Sequence, residues 1–168
     1  DIAYEVPVKH LINEGFLSPL VTKAPNTTLD VSGVHSRGGD FINSELQNAV
    51  DQAEINKAAV REIIHYGRDR KSWLVFCTGI QHAYNVRDAL RERNIVAETG
   101  TGETNSMERD YILEGFKSGE IRALTNCDIL TTGFNAPNTD LLAILRPTQS
   151  TGLYVQIVGR GMRIAPGK

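Results

Sequence analysis

Three polar side chains near the end of the chain have the types and the spacing to act on a phosphate group. Gln156, Arg160 and Arg163 lie four and three positions apart, so a helix would project all three from one face. Two planar guanidinium groups one turn apart suit a phosphoryl group whose negative charge grows in a transition state. Gly159 and Gly161 each weaken this helix by up to about 1 kcal/mol. We therefore expect the helix to approach another surface closely, and a solvated basic face is the alternative.

A second polar set follows a predicted strand, in the stretch from Asn126 to Pro137. The hydroxyl groups of Thr131 and Thr132 can donate hydrogen bonds to phosphate oxygens of a nucleic-acid backbone, and Gly133 permits close approach of the main chain. In doubly wound sheets, the residues that bind ligands cluster at the carboxyl ends of the strands. The stretch is therefore a candidate nucleic-acid contact, although an ordinary loop would also account for its glycine, asparagine and proline.

Other chemistries are excluded by residues that the sequence lacks. The run from Gly33 to Gly38 has the glycine spacing of the phosphate-binding loop, but Gly39 and Asp40 stand where a lysine and a hydroxyl are needed. The glycines at 100 and 102 begin a dinucleotide fingerprint whose third glycine is absent. The two cysteines form no C-x-x-C pair, so we predict buried structural thiols and no metal site. The histidines are dispersed and are expected to pack or lie at the surface: His10, His35, His65 and His82.

The composition is that of a soluble globular domain, with 40% hydrophobic and 23% charged residues over 168 positions. No run of about 18 apolar residues is present, and the acidic N-terminus is unlike a signal peptide. We therefore expect a cytoplasmic or nucleoid-associated protein with no membrane partner, and the abrupt ends suggest a fragment of a longer one. The net charge is −2, yet the residues after Asp140 include four basic groups and no acidic one, which is compatible with a phosphate-facing edge.

The order of elements predicts an α/β fold with a mainly parallel sheet. Strands that alternate with helices form parallel sheets covered on both faces, so we predict three layers. Ser44 with Gln47, and Asn105 with Glu108, have the spacing of a capping box at a helix start. Apolar runs predict strands at 73–77, 95–97, 121–125 and 141–145, and periodicity predicts helices at 44–66, 80–93, 105–117 and 151–162.

Residues 1–43 are predicted to be a lead-in segment to one compact domain at 44–168. Pro7 suits the start of a helix and Gly15 its end. Residues 27–31 are expected to form a short strand, and residues 32–40 a glycine-rich loop.

The region from Trp73 to Arg163 resembles the C-terminal RecA-like domain of superfamily II helicases. The heptapeptide 73–79, W-L-V-F-C-T-G, is similar to motif IV of that family, and 133–137, G-F-N-A-P, to motif V. The stretch from Gln156 to Arg163 is similar to motif VI. Residues 99–109 and 116–120 resemble the segment that leads to motif V.

The resemblance implies a RecA-like fold and a part in an ATP-dependent motor. Arg160 and Arg163 would be arginine fingers, with Gln156 beside them in the catalytic motif. The residues implied to border the nucleotide are Gly133, Asn135 and Gly159, and those implied to touch the backbone of a nucleic-acid strand are Thr78, Gly79, Thr131 and Thr132.

Two departures from the family pattern refine this interpretation. Asn135 stands where an aspartate is usual, and Gln156 replaces the His-Arg opening of DEAD-box RNA helicases. The second departure resembles DNA repair and restriction-type motors, which implies DNA as the nucleic-acid partner. ATP and Mg²⁺ would be held mainly by an N-terminal RecA-like domain of the same protein, so the isolated chain is expected to be inactive. The rival hypothesis is a non-catalytic nucleic-acid or protein interaction module that retains the fold.

Overall fold

The computed structural model describes residues 5–23, 26, 28–127 and 135–168. Within these ranges, strands and helices alternate from residue 73 to residue 126, as predicted. In chain order the elements are α1 (Val8–Asn13), β1 (Ser36–Arg37), β2 (Asp40–Phe41), α2 (Asn43–Val50), α3 (Ala53–Tyr66), β3 (Trp73–Phe76), α4 (Ile80–Arg91), β4 (Ala97–Thr99), α5 (Ser106–Ser118), β5 (Ala123–Asn126), β6 (Leu141–Ile144) and α6 (Thr151–Gly161).

β3 is an inner strand of a four-stranded parallel sheet with the order β4-β5-β3-β6. All four of its residues are buried, because a strand between two helical layers must be apolar on both faces. Trp73 pairs with Ala123 of β5 and with Leu141 of β6. The carboxyl ends of these strands therefore meet at one edge of the sheet, and the residues that follow them lie side by side.

Two apolar cores lie on opposite faces of the sheet. Trp73 and Val75 of β3 pack with α3 and α4, whereas Leu74 and Phe76 pack with α5 and α6. This division follows from the alternation of side chains along a strand. The three-layer α/β fold is therefore confirmed.

The single helix predicted at 44–66 is wrong, because the chain leaves the helical conformation at Asp51 and Gln52. Asp51 has φ −79° and ψ 70°, and Gln52 is extended. The break divides the apolar stripe between α2 and α3, and both halves still bury their apolar side chains. Ser44 forms no cap, since α2 begins one residue earlier and no side chain caps it.

The second predicted helix cap, Asn105 with Glu108, is present at the start of α5. The Glu108 N–H donates to Asn105 Oδ1 at 2.9 Å, and Asn105 Nδ2 donates to the Glu108 carboxylate at 3.3 Å. Gly119 ends the helix with φ 88°, a left-handed conformation that favours glycine. β4 begins at Ala97 rather than 95, because Asn94, with φ 60°, continues the turn that follows α4.

The lead-in segment differs from its prediction in two ways. Residues 28–31 form no strand, and the predicted glycine-rich loop contains the antiparallel hairpin of β1 and β2. Gly38 and Gly39 form its two-residue turn with φ 64° and 87°, as a tight hairpin requires. None of the helices in the described part of the chain is both long and apolar enough to cross a membrane.

Candidate functional site

The helix α6 carries two of the three polar residues that the sequence singled out. It begins after Ser150, whose Oγ accepts a hydrogen bond from the Leu153 N–H at 3.2 Å. Ile157 is fully buried in the core beneath the helix, whereas Gln156 is exposed and Arg160 is half-buried. The predicted polar face of this helix therefore points away from the sheet that supports it.

The two glycines beside Arg160 have different surroundings. A Cβ atom at Gly161 would lie 2.6 Å from Leu142 Cδ1 and 3.0 Å from Leu142 Cγ, so the helix approaches β6 at this point. A Cβ atom at Gly159 would meet no atom within 4 Å. The close approach inferred from the sequence is thus explained for Gly161 by the protein's own sheet, and Gly159 faces open space.

Arg163 lies just beyond α6 and contacts a second predicted site residue. Its Nη1 donates a hydrogen bond to Asn135 Oδ1, although the two residues are 28 positions apart in the chain. Burial, followed by the positive charge of Arg163, lowers the pKa of the Arg160 guanidinium. Arg163 is therefore held by an amide, and Arg160 lies within reach of its charge, an arrangement that an anion would stabilise.

Thr78 and Gly79 follow β3 and are more enclosed than the sequence suggested. Thr78 is 2% exposed, and its hydroxyl lies 2.8 Å from His82 Nδ1. The side chain of Gln47 covers Gly79, since a Cβ atom there would lie 1.8 Å from Gln47 Oε1. A nucleic-acid contact at these two positions remains a prediction, and the Thr78 hydroxyl already has a partner inside the protein. Thr131, Thr132 and Gly133 lie outside the described residues.

Comparison with known proteins places this geometry in a family. Residues 55–165 match the helicase conserved C-terminal domain. The chain belongs to that family. The matched range includes the whole sheet, Asn135 and the arginine pair, and the motif that contains Gln156, Arg160 and Arg163 lies at its end.

Individual relatives of this helicase C-terminal domain agree with the assignment. The Saccharomyces cerevisiae protein named "Putative ATP-dependent helicase IRC3" is 30% identical over 99% of the chain, which covers 24% of that protein. The type I restriction enzyme EcoAI endonuclease subunit of Escherichia coli is 24% identical over 98% of the chain and 23% of the subunit. The chain thus spans about a quarter of the length of these relatives.

Solved structures show the same fold. The E. coli DEAD-box protein SrmB, in a complex with regulator of ribonuclease activity A, superposes with a TM-score of 0.58. The match covers 71% of the chain and 68% of that protein at 19% identity.

His82 lies beside the predicted site residue Thr78 in this helicase C-terminal domain, and the sequence did not single it out. It is fully buried, and its Nδ1 accepts a hydrogen bond from the Thr78 N–H at 3.1 Å. The neutral ring must therefore carry its proton on Nε2, which donates to Asn56 Oδ1 at 3.1 Å. Asn56 and Asn85 in turn donate to the Asp51 carboxylate at 2.7 and 2.8 Å. A polar network thus links the end of β3 to the break between α2 and α3.

The electrostatics of this network favour a neutral His82. Burial lowers the pKa of the ring, and the negative charge of Asp51 offsets only part of that effect. Protonation of Nδ1 would also remove the acceptor of the Thr78 N–H. The spacing of Thr78 and His82, a hydroxyl four residues before a histidine at a helix start, is the sequence signal that could have revealed the contact.

Two further predictions can be compared with the described residues. Cys77 is buried, and burial raises the pKa of its thiol well above the usual range, so it is a structural thiol. Cys127 is half-buried. In the described ranges, no group of three or more histidine, cysteine, aspartate or glutamate residues could hold a metal ion.

Proposed function

We propose that this chain is the C-terminal motor domain of an ATP-dependent nucleic-acid helicase or translocase. In the whole protein, an N-terminal RecA-like domain would hold ATP and Mg²⁺, and this domain would supply Arg160 and Arg163 across the cleft. The observation that carries the proposal is the arginine pair itself. Arg163 donates a hydrogen bond to Asn135, and Arg160 lies three residues earlier, near enough for the charge of Arg163 to lower its pKa after the larger effect of burial.

The residues of the chain fit half of a nucleotide site. They include two guanidinium groups but no lysine in a phosphate-binding loop, so most contacts to the phosphates and Mg²⁺ would come from the other domain. Mg²⁺ neutralises charge on the β- and γ-phosphate oxygens when it is bound. Arg160 and Arg163 would stabilise the charge that develops on the transferred phosphoryl group, with Gln156 on the same helix.

Two of the remaining predicted nucleotide contacts, Asn135 and Gly159, have positions that are compatible with this proposal. Asn135 offers an amide to a ribose hydroxyl when its oxygen is not engaged by Arg163. Gly159 lies on the open side of α6 and has no side chain that would keep the facing domain at a distance. Its position would permit the close approach that the sequence suggested.

The nucleic-acid strand would lie along the carboxyl edge of the sheet. We assign contacts with its phosphates to Thr131 and Thr132 and to the main chain of Gly79, which is half-buried. Thr78 would lie beside this contact, because the residue is 2% exposed and its N–H donates to His82 Nδ1. We propose DNA as the track, in line with the motif that contains Gln156. Contacts of this kind position the strand without reading its sequence.

Steady-state ATPase kinetics test the arginine assignment in the full-length protein that contains this chain. We expect Arg160→Ala and Arg163→Ala to lower kcat by about 10³-fold or more with little change in the KM for ATP. Arg160→Lys should not restore kcat, because a point charge lacks the planar fork of a guanidinium. Arg93→Ala is the matched control, because Arg93 is exposed between α4 and β4. β4 is the outer strand on the side of the sheet away from β6, the strand that precedes α6.

The proposal fails if folded variants at both positions keep more than about a tenth of the wild-type kcat with saturating DNA, given the usual size of the effect. A solvated basic face would show that behaviour, because the loss of one surface charge changes little.

A further inference from the structure

The helix that carries Arg160 is attached to the sheet along a narrow stripe. Within α6, only Ile157 and Gly161 are buried, and Leu153 packs at the margin of the same core. Tyr154 and Val155 are 50% and 61% exposed. A helix held by one stripe of side chains is weakly restrained against rotation about its own axis. The direction of the Arg160 guanidinium, and of Arg163 just beyond the helix, therefore depends on what holds the two ends of α6.

Ser18 of the lead-in segment holds the C-terminal end of α6. Its N–H donates to the carbonyl oxygen of Met162 at 2.8 Å, and its Oγ donates to that of Arg163 at 3.3 Å. The last carbonyl groups of a helix have no partner within the helix itself. Ser18 supplies a partner for the carbonyl of Met162 and shares the carbonyl of Arg163 with Lys168 Nζ, which donates to it at 2.6 Å. Leu20 lies beside the same turn, 3.5 Å from where a Cβ atom of Gly161 would stand.

The hairpin of β1 and β2 holds the other end of α6 through Asp40. The Asp40 carboxylate accepts hydrogen bonds from Thr148 Oγ1 at 2.7 Å and from the Gln149 N–H at 2.9 Å. Thr148 Oγ1 accepts in turn from the N–H of Ser150, the capping residue of α6, at 3.0 Å. Ser36 adds a hydrogen bond to the Gln149 side chain at 2.8 Å. A continuous chain of contacts thus runs from the hairpin to the first turn of the helix.

Asp40 is held in its ionised form by these contacts. Burial alone would raise its pKa, but the hydrogen bonds from Gln149, Thr148 and Phe41 and the charge of Arg146 outweigh burial and lower it. The guanidinium of Arg146 lies 4.0 Å from the Asp40 carboxylate and also donates to Asn43 Oδ1 at 2.9 Å. The hairpin is therefore joined to the residues before α6 by charge as well as by hydrogen bonds.

We infer that the lead-in segment sets the orientation of the arginine pair, with Asp40 and Ser18 as positioning residues at the two ends of α6. This inference rests on the proposed function, because it assigns the two contacts to the reaction that Arg160 and Arg163 assist. Neither positioning residue needs to touch the nucleotide. Each acts through the helix that presents the guanidiniums.

The kinetic test compares two aspartates of the same segment in the full-length protein. Asp40→Ala should lower kcat by about 10-fold to 10²-fold, the size of effect that a small misplacement of a catalytic group produces, with less than about a twofold change in the KM for ATP. Asp40→Asn keeps an acceptor oxygen and should recover part of that loss. Asp30→Ala is the matched control, because the Asp30 carboxylate is exposed and accepts from the Ser32 N–H within its own turn.

Amide hydrogen exchange provides a second readout that requires no ATP turnover. In Asp40→Ala, and more weakly in Ser18→Ala, the amides of α6 should exchange faster, while those of α4 keep their protection. Asp30→Ala should leave both helices unchanged. Loss of kcat together with faster exchange in α6 supports the inference.

The inference would be overturned if a folded Asp40→Ala variant had the kcat of the wild type and the wild-type rate of amide exchange in α6. If Asp40→Ala does not fold, the same two measurements on Asp40→Asn decide. The proposed function fails separately, through Arg160 and Arg163 variants that retain kcat. If those variants lose kcat while Asp40→Ala does not, the positioning role alone is refuted.

Discussion

At the scale of single residues, Gly159 and Gly161 illustrate two different reasons for a glycine within a helix. Gly161→Ala should destabilise the domain by about 1–3 kcal/mol, because its Cβ would collide with Leu142 of β6. Gly159→Ala should stabilise it by about 0.5–1 kcal/mol, because alanine favours the helix and nothing lies within 4 Å. Urea unfolding of the two variants measures both changes.

The same pair of variants separates stability from activity. In the full-length protein, Gly159→Ala should lower ATP turnover while the domain becomes more stable, if the facing domain approaches α6 at this point. A loss of stability in Gly159→Ala similar to that in Gly161→Ala would show that our description of the open side of the helix is wrong.

The relative positions of functional residues could be predicted from the sequence where the residues lie on the same helix or strand. Gln156 and Arg160 share a helix, so their common face followed from helical geometry. The contact of Arg163 with Asn135 was not predicted, because it depends on how a loop and a helix end meet. The family resemblance implied only that both residues lie near the nucleotide. The burial of Thr78 was missed, since its partner His82 was identified only as a dispersed histidine.

At the scale of elements, the His82 network joins β3, α3 and α4 and should make stability depend on pH. The pKa of His82 is lowered from its ordinary value of 6.5 in the folded protein. Below pH 6.5 the unfolded chain therefore takes up a proton that the folded chain does not, and the free energy of unfolding falls as the pH falls. The contribution of His82 is fully present above pH 6.5.

This expectation can be tested by measuring the free energy of unfolding from pH 6.5 down to about pH 5. Histidine usually gains its charge in this range. His82→Gln should lose most of the dependence on pH, and His10→Gln, at an exposed position of α1, should retain it. Carboxylates such as Asp40, whose pKa is lowered from 3.8, titrate below this range. An unchanged slope in His82→Gln would contradict a neutral buried ring.

Elements with long, regular patterns were predicted well, and their ends less well. The apolar run of β3 and the capping box of Asn105 appear as expected. The same capping pattern at Ser44 failed, because α2 begins one residue earlier and the serine lies inside the helix. The hairpin was missed since β1 and β2 have only two residues each, too few for periodicity to show.

At the scale of the whole molecule, we propose that the domain supplies only part of a catalytic site. We expect the isolated chain to release no phosphate from ATP, with or without single-stranded DNA, because it lacks the phosphate-binding lysine. A colorimetric phosphate assay on the pure chain, with the full-length protein as the positive control, measures this. Robust Mg²⁺-dependent turnover by the chain alone would refute a motor divided between two domains.

The inner position of β3 has a consequence for synthesis on the ribosome. β3 is made before the other three strands of its sheet, and its neighbours β5 and β6 pair with Trp73 through residues about 50 and 70 positions later. At about 5–20 residues per second, the first of these partners is completed roughly 3–10 s after β3. During that interval α3, and then α4, can cover one face of β3. The other face of β3 and both of its edges remain exposed. We therefore expect nascent chains of this domain to bind chaperones that recognise extended apolar segments, and to release them when β6 is made.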